Sequence, residues 1–255
     1  MDPYQGLSPV IGIIRDAVKR ALNLNPKPNL EILFLDVWRF ASKNLEIAQH
    51  LPVGKLFCDT QLTKNELLLL LIVQIIRQYG LDLCPTIQLS NKETFEELGK
   101  LAGPATVCGV HTGFAFLPTI MAPFGRKVSI ISSDNDIRDT LTRSGREGYI
   151  EVIPRDLFSF IRLRNSMHKA NLCVCSVDYS DGKLFQFISP SLFEFSSLNK
   201  FPVYFFKSEV NDEGKVQVGL KKSEFLQDPS KSAEEFILYI TANQNPAREL
   251  SIKKI

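Results

Sequence analysis

The chain has 255 residues, of which 44% are hydrophobic and 23% are charged. A chain of this length can bury roughly three-quarters of its unfolded surface, and this composition excludes disordered and fibrous proteins. The 30 Lys and Arg residues outnumber the 28 Asp and Glu residues only slightly, giving a net charge of +2. Nucleic-acid-binding proteins usually carry a larger basic excess, so we expect a globular protein without a nucleic-acid partner.

The N-terminal third of the sequence is predicted to be helical. Apolar side chains recur every three to four residues over positions 9–24, which predicts an amphipathic helix, and a second helix is predicted over 29–50. A third helix, over 67–76, follows a capping box from Thr63 to Glu66 and is apolar on all sides, which is typical of a buried core helix. This apolar run is about half of a bilayer-spanning length, so no transmembrane helix is expected.

The N-terminus and the cysteines predict a cytoplasmic protein. The first residues, Met-Asp-Pro-Tyr-Gln-Gly, contain neither the basic nor the apolar region of a secretory signal. The five cysteines have neither the spacing of zinc ligands nor that of a disulfide framework, so no metal site is expected from them. Cys173 and Cys175 would share one face of a strand, and we interpret them as reduced core residues.

From residue 98 onward, short apolar segments alternate with helical stretches. This alternation is typical of an α/β fold with a mainly parallel central sheet flanked by helices, here with a helical N-terminal layer. A hairpin is predicted between 204–210 and 215–220, and residues 227–231 are predicted to be a surface loop. We expect one domain over residues 1–255, with a helical part at 1–90 and a sheet-containing core at 91–255. The predicted strands are residues 105–110, 127–131, 149–153, 172–177 and 203–206.

Only one of the three histidines follows a predicted buried strand. His50 is at a helix end and His168 is in a polar segment, and both contexts are typical of surface residues. His111 follows the strand 105–110 and precedes Thr112 and Gly113, where α/β proteins place ligand-binding groups. The residues alone allow either a general base at this position or a hydrogen-bonded histidine at a strand end.

Several sequence blocks between residues 91 and 220 occur in an order known from one enzyme family. In that order they resemble the lipid A biosynthesis acyltransferases, the lauroyl and myristoyl transferase branch of the lysophospholipid acyltransferase superfamily. The blocks are His111-Thr-Gly-Phe, the asparagine-to-arginine-glycine segment 135–145, Val177-Asp178-Tyr179, the apolar strand 201–206 and the hairpin loop 211–214.

The resemblance implies an acyltransferase that needs no bound cofactor or metal. His111 would deprotonate a hydroxyl or amine acceptor, and backbone amides near Thr112 and Gly113 would stabilise the oxyanion. The donor would be a thioester of acyl carrier protein or coenzyme A that carries an acyl group or, alternatively, an aminoacyl group. The acceptor would be a lipid or a small molecule, and the resemblance allows peripheral contact with the inner face of the membrane.

The sequence departs from the family at the residue that orients the histidine. The family has an acidic residue five positions after the histidine, whereas this chain has Phe116. Asp178 is our preferred replacement because strand-end residues share one edge of a parallel sheet. Asp134 and Asp136 are further candidates, although as loop residues they could equally cap the following helix.

The remaining candidate residues would bind substrate. Arg143 could bind a phosphate group bidentately, or it could form an ion pair with Asp139 on one helix. The family blocks also imply substrate contacts for Asn135 and Tyr179.

The departure at Phe116 and the loss of the family's glycine-rich loop in 187–193 leave a second function open. In that alternative the protein is a catalytically degenerate relative that binds a lipid or a carrier protein. A hydrolase would need water in place of the acceptor, and the sequence has no Gly-x-Ser-x-Gly elbow that would indicate a serine hydrolase.

Overall fold

The protein divides into two structural units in the computed structural model. One unit comprises Met1–Gln88 and Glu209–Gln217, and the other comprises Leu89–Ser208 and Val218–Ile255. One domain over residues 1–255 stays a prediction. The structure describes residues 8–27, 29–48, 68–79 except 70, 73, 74 and 77, and then 87–110, 117–132, 147–169, 171–179, 187–210, 215–242 and 251–252.

Two packed helices, α1 (Ser8–Leu24) and α2 (Leu30–Ala48), begin the first unit. The Asn29 side-chain oxygen accepts the Ile32 backbone N–H at 3.2 Å and so caps the start of α2. Both helices agree with the amphipathic helices predicted over 9–24 and 29–50. Their buried side chains repeat at the spacing of one helix face and include Ile14, Val18, Leu33, Val37 and Ala41.

The predicted apolar helix over 67–76 is confirmed at its described positions. Leu68, Leu69, Leu71, Ile72, Ile75 and Ile76 are helical and buried. The capping box from Thr63 to Glu66 lies outside the described residues. Within the described part of the chain, no helix combines the length and the apolar character needed to cross a membrane.

Five of the strands lie close to the positions predicted from the sequence, and their starts agree within one residue. Two-residue strands were not predicted, because such short segments carry no periodicity. The strands of the described residues are β1 (Gln88–Leu89), β2 (Ala105–Gly109), β3 (Val128–Ser132), β4 (Ile150–Pro154), β5 (Leu172–Ser176), β6 (Asp178–Tyr179), β7 (Phe187–Ile188), β8 (Val203–Val210), β9 (Val216–Lys222) and β10 (Ser251–Ile252).

The central sheet has seven strands in the order β1-β9-β8-β2-β5-β3-β4, and β10, β7 and β6 form a smaller sheet. β2 pairs in parallel with β5 on one side and β8 on the other, and β3 pairs in parallel with β5 and β4. The Ser223 N–H donates to the Val203 oxygen at 2.8 Å, so the end of β9 meets the start of β8 and this pair is antiparallel. The predicted hairpin arms are therefore neighbours, while its loop, 211–214, lies outside the described residues.

Helices cover both faces of the central sheet. Phe205 and Phe206 are consecutive residues of β8 and therefore point to opposite faces. Phe206 packs edge-on against Phe95 of the first flanking helix, whereas Phe205 packs against Phe193 and Phe236. The mainly parallel α/β sheet flanked by helices is thereby confirmed. The α-helices that the structure describes after β1 are α3 (Lys92–Lys100), α4 (Leu117–Met121), α5 (Ser159–Met167), α6 (Ser191–Asn199) and α7 (Pro229–Thr241).

Residues 227–231 are not a surface loop, as the sequence analysis predicted, because α7 begins within them. The Asp228 side chain accepts the Lys231 backbone N–H at 3.0 Å, and Pro229 occupies the first helical turn. A proline is tolerated there because the first N–H groups of a helix have no intrahelical partner. Asp228 and Pro229 thus start a helix rather than end one.

A buried arginine connects α3 to the start of β3. The Arg126 guanidinium donates to the backbone oxygens of Leu101, which follows α3, and Gly103, the latter at 2.8 Å. Burial lowers the pKa of Arg126 from its usual range. The guanidinium therefore satisfies carbonyls at the negative end of the helix dipole.

Glu235 of α7 is a buried carboxylate with three partners. Lys221 Nζ lies 2.8 Å from Oε1, and Oε2 accepts from Ser223 Oγ at 2.8 Å and from the Glu224 N–H at 3.1 Å. Burial acts to raise the pKa of Glu235, but Lys221 and the hydrogen bonds outweigh it and lower that pKa from its usual range. The native state therefore favours the ionised form.

We expect Glu235→Gln to lower the free energy of unfolding at neutral pH by about 1–3 kcal/mol. Because the folded pKa lies below the unfolded one, this stabilisation is present above the usual glutamate pKa and disappears as the pH falls through the folded value. Urea unfolding as a function of pH checks this, and the difference between wild type and variant should shrink in acid. Glu234→Gln, at the exposed neighbour, should change little. Parallel pH curves for wild type and Glu235→Gln would contradict the expectation.

Candidate functional site

The carboxyl ends of β2 and β5 lie side by side at one edge of the central sheet. The two strands pair from Ala105 with Leu172 to Gly109 with Ser176. Beyond the last pair, the Val177 N–H donates to the Gly109 oxygen at 3.1 Å, so the pairing continues to the point where both strands end. The chain positions that follow these strands therefore leave the sheet from neighbouring points.

Three strands end at this edge, and each is followed in the sequence by a predicted site residue. β2 is followed by Val110 and then, in sequence, by His111, and β5 is followed by Val177 and Asp178. β3, which is parallel to β5, ends at Ser132, three positions before Asn135. This edge is the one at which open parallel α/β sheets bind ligands.

Asp178 and Tyr179 lie in a short strand at this edge. They form β6, which pairs antiparallel with β7 so that Asp178 is opposite Ile188 and Tyr179 is opposite Phe187. The Ser189 N–H donates to the Val177 oxygen at 2.7 Å and holds the segment that follows β7 against the end of β5. The side chains of Asp178 and Tyr179 lie outside what the structure describes.

The other predicted site residues also lie outside the described residues, and their roles stay predictions. They are His111, Thr112, Gly113, Asn135 and Arg143, together with Phe116 and the alternative acids Asp134 and Asp136.

The residues beneath this edge are tightly packed and apolar. Val110, Val177 and Ile188 are buried and belong to the hydrophobic core, together with Phe193 of α6. Phe193 is thus a core residue. A packed floor of this kind holds the ends of β2 and β5 in a fixed arrangement.

None of the described cysteines near this edge is in a disulfide. Cys108 of β2 and Cys173 of β5 are buried, and Cys175 is partly buried. Burial raises the pKa of Cys108 and of Cys173 well above the usual thiol range. Both thiols therefore stay protonated and make poor nucleophiles. Of the two cysteines interpreted as core residues, Cys173 lies in the core and Cys175 is only partly buried.

A partly buried polar network lies near the opposite, amino-terminal ends of β3, β4 and β5. Ser166 Oγ donates to the Glu151 carboxylate and lies within hydrogen-bond distance of Ser129 Oγ. Asn171 Nδ2 donates to Glu151 at 3.1 Å and to Ser166 at 2.9 Å. Sequence reasoning missed this network because its members come from four separate segments.

An open cleft of about 460 Å³ lies beside this network, at the amino-terminal edge of the sheet. Its lining includes Lys127, Gly148, Lys169 and Asn171, and the Lys169 ammonium is 4.0 Å from the Glu151 carboxylate. Each polar group of the adjoining network has a partner within the protein, as buried polar groups require for stability. We interpret the network as a structural one that fixes α5 to the sheet.

His168 is exposed at the end of α5, and its backbone N–H donates to the Arg164 oxygen at 3.1 Å. This agrees with its predicted surface position. In the described part of the chain, no group of three His, Cys, Asp or Glu side chains is placed to hold a metal ion.

The strand ends of β2 and β5 therefore remain the best candidate site. No protein-family model matches this chain, and no curated protein matches its sequence.

Proposed function

We propose that this protein is an acyltransferase whose general base is His111. The observation that carries the proposal is the direct pairing of β2 with β5, parallel and in register up to their carboxyl ends. Neighbouring strands are about 4.8 Å apart, a separation that an imidazole and a carboxylate can bridge with a hydrogen bond. This pairing supports the assignment of Asp178 as the partner of His111 in place of the family's acid.

In the proposed reaction, His111 takes the proton of a hydroxyl or amine acceptor as the acceptor attacks a thioester carbonyl. The backbone amides near Thr112 and Gly113 stabilise the oxyanion of the tetrahedral intermediate. The carbon–sulfur bond then breaks, and the leaving thiolate receives the proton from His111. Asp178 keeps the imidazole in the tautomer that can accept the proton, which is the role of the acid in other catalytic dyads.

The proposed donor is an acyl or aminoacyl thioester of acyl carrier protein or coenzyme A, and the proposed acceptor is a lipid or a small molecule. Arg143 is proposed to bind a phosphate of the donor or acceptor, and Asn135 and Tyr179 are proposed to contact the substrate. Asn135 follows β3 in the sequence, and β3 ends at the same edge of the sheet as β2 and β5, which supports this grouping. We also propose that the protein acts in the cytoplasm, in peripheral contact with the membrane.

The test is mass spectrometry of products formed by the purified chain with a panel of thioesters and acceptors. The panel pairs acyl and aminoacyl carrier-protein thioesters and coenzyme A thioesters with lipid and small-molecule acceptors. We expect a transfer product with at least one pair and release of the free thiol in equal amount. Tight binding of an acylated carrier without any transfer would favour the binding module, and free acid without transfer would favour a thioesterase.

A further inference from the structure

Four large apolar side chains are exposed where β4 leads into α5. Leu157, Phe158, Phe160 and Ile161 lie within five consecutive positions, and Leu157 is 96% and Ile161 60% exposed. We call these four side chains the β4–α5 patch. Single exposed apolar residues are common on protein surfaces, but a contiguous group of this size marks an interaction surface.

The patch is displayed on a rigid support. Asp156 Oδ1 accepts the Phe158 N–H at 2.8 Å, and Ser159 Oγ donates to the Pro154 oxygen at 2.8 Å. One helical turn further, Leu163 and Met167 are fully buried and attach α5 to the sheet. The turn and the first helical residues are therefore fixed, so the exposure of the patch is a property of the fold rather than of a loose segment.

The patch extends towards α6 through aromatic packing. The rings of Phe160 and Phe195 are 5.4 Å apart, and Leu198, one turn beyond Phe195 on α6, is 83% exposed. Residues three apart share a face of a helix, so Leu198 adds a further apolar group on the side of α6 that meets Phe160.

Basic side chains border the patch. Arg155 precedes it, and Arg164 lies on the same helix face as Phe160 and Ile161, four and three positions later. Arg162 forms an ion pair with Asp156 at 2.6 Å, whereas Arg155 and Arg164 have no ion-pair partner among the described residues. Long exposed arginines can direct their guanidinium groups to lipid phosphates while their stems lie along an apolar surface.

We propose that the β4–α5 patch inserts into the interface of an anionic phospholipid bilayer. A side chain exposed as fully as Leu157 projects into its partner instead of lining a groove. Leucine and phenylalanine are typical of apolar surfaces that insert into the membrane interface. Arg155 and Arg164 contact the negatively charged headgroups. β4 runs parallel to β3 and ends at the edge from which the chain enters 111–116 and 133–146, so the membrane lies at the edge of the candidate site.

The test is co-flotation of the full chain with vesicles of phosphatidylglycerol and phosphatidylcholine, compared with phosphatidylcholine alone. The proposal rests on the peripheral membrane contact proposed above; because the assay uses no acyl donor, its failure can be told apart from a failure of acyl transfer. We expect binding to the anionic vesicles, a loss of at least about tenfold for Leu157→Ser with Ile161→Ser, and a loss of about thirtyfold for Arg155→Gln with Arg164→Gln. Leu238→Ser is the matched control, because Leu238 of α7 is also exposed, at 71%, and should leave binding unchanged.

A second measurement guards against variants that fail to fold. Leu157→Trp should show a blue-shifted tryptophan emission on addition of anionic vesicles, whereas the native Trp38 is only 9% exposed and should not respond. The proposal is overturned by absence of wild-type vesicle binding, by equal binding of the Leu157→Ser with Ile161→Ser variant, or by an unshifted Leu157→Trp spectrum. It is also overturned if the patch instead mediates self-association or acyl carrier protein binding without vesicle binding.

Discussion

Replacing His111 by alanine is expected to reduce the rate of acyl transfer by about 10²–10⁴-fold, the usual contribution of a general base. Without the imidazole, the acceptor must lose its proton to water, whereas thioester binding, which depends on other groups, should persist. The effect should therefore appear in kcat much more than in KM. Measuring transfer at saturating donor, with mass spectrometric detection of the product, checks this expectation.

His168→Ala is the matched control for this variant, because His168 is an exposed histidine at the end of α5. It should transfer at the wild-type rate. In the wild type, the rate should rise with pH as the His111 imidazole loses its proton, and this rise should be absent from any residual activity of His111→Ala. Full transfer by His111→Ala would exclude the proposed mechanism, although another acyl-transfer mechanism would remain.

Asp178→Asn is expected to give the second largest loss, again about 10²–10⁴-fold in kcat. Asparagine keeps the size of the side chain but presents an amide where the carboxylate would orient the imidazole, and it cannot stabilise the imidazolium form. The backbone of Asp178 is held by its pairing with Ile188 on β7, so the substitution should leave the fold unchanged. Steady-state transfer kinetics and a thermal melt of the same sample check both parts.

Two further variants decide which acid orients His111. Asp134→Asn and Asp136→Asn should each change kcat by less than tenfold if Asp178 is the partner. Asp134 and Asp136 follow β3 in the sequence, whereas Asp178 follows β5, the immediate neighbour of β2. A large loss in either of these variants, with little change in Asp178→Asn, would assign the orienting role to the β3 end.

The sequence was sufficient to predict which segments become strands of five or more residues, but not the two-residue strands or the order of the strands in the sheet. β2 is an uninterrupted run of five buried residues, and a run of this kind, bounded by turns, is characteristic of a strand covered on both faces. The pairing of β2 with β5 and β8 depends on contacts between residues far apart in the chain, which no local pattern encodes. α7 was missed because Pro229 suggests a loop, whereas Asp228 places that proline in the first helical turn.

The candidate site was predicted in part. The position of His111 after a buried strand and the presence of Asp178 after another could both be read from the sequence. The sequence does not show that these two strands are immediate neighbours, because this adjacency is a property of the sheet order. The polar network of Ser129, Glu151, Ser166 and Asn171 left no local pattern, since each member is an ordinary polar residue in its own segment.

The central position of β2 has a consequence for how the protein is made. Both hydrogen-bonding edges of this fully buried strand are filled by segments synthesised much later, β5 and then β8. Until β8 has left the ribosome, β2 keeps an unpaired, strongly apolar edge, which is the type of surface that initiates aggregation. Such long-range pairing also slows folding, because loop closure must precede the contacts that stabilise it. Nascent chains that stall before residue 203 should consequently depend on chaperones far more than the finished protein does.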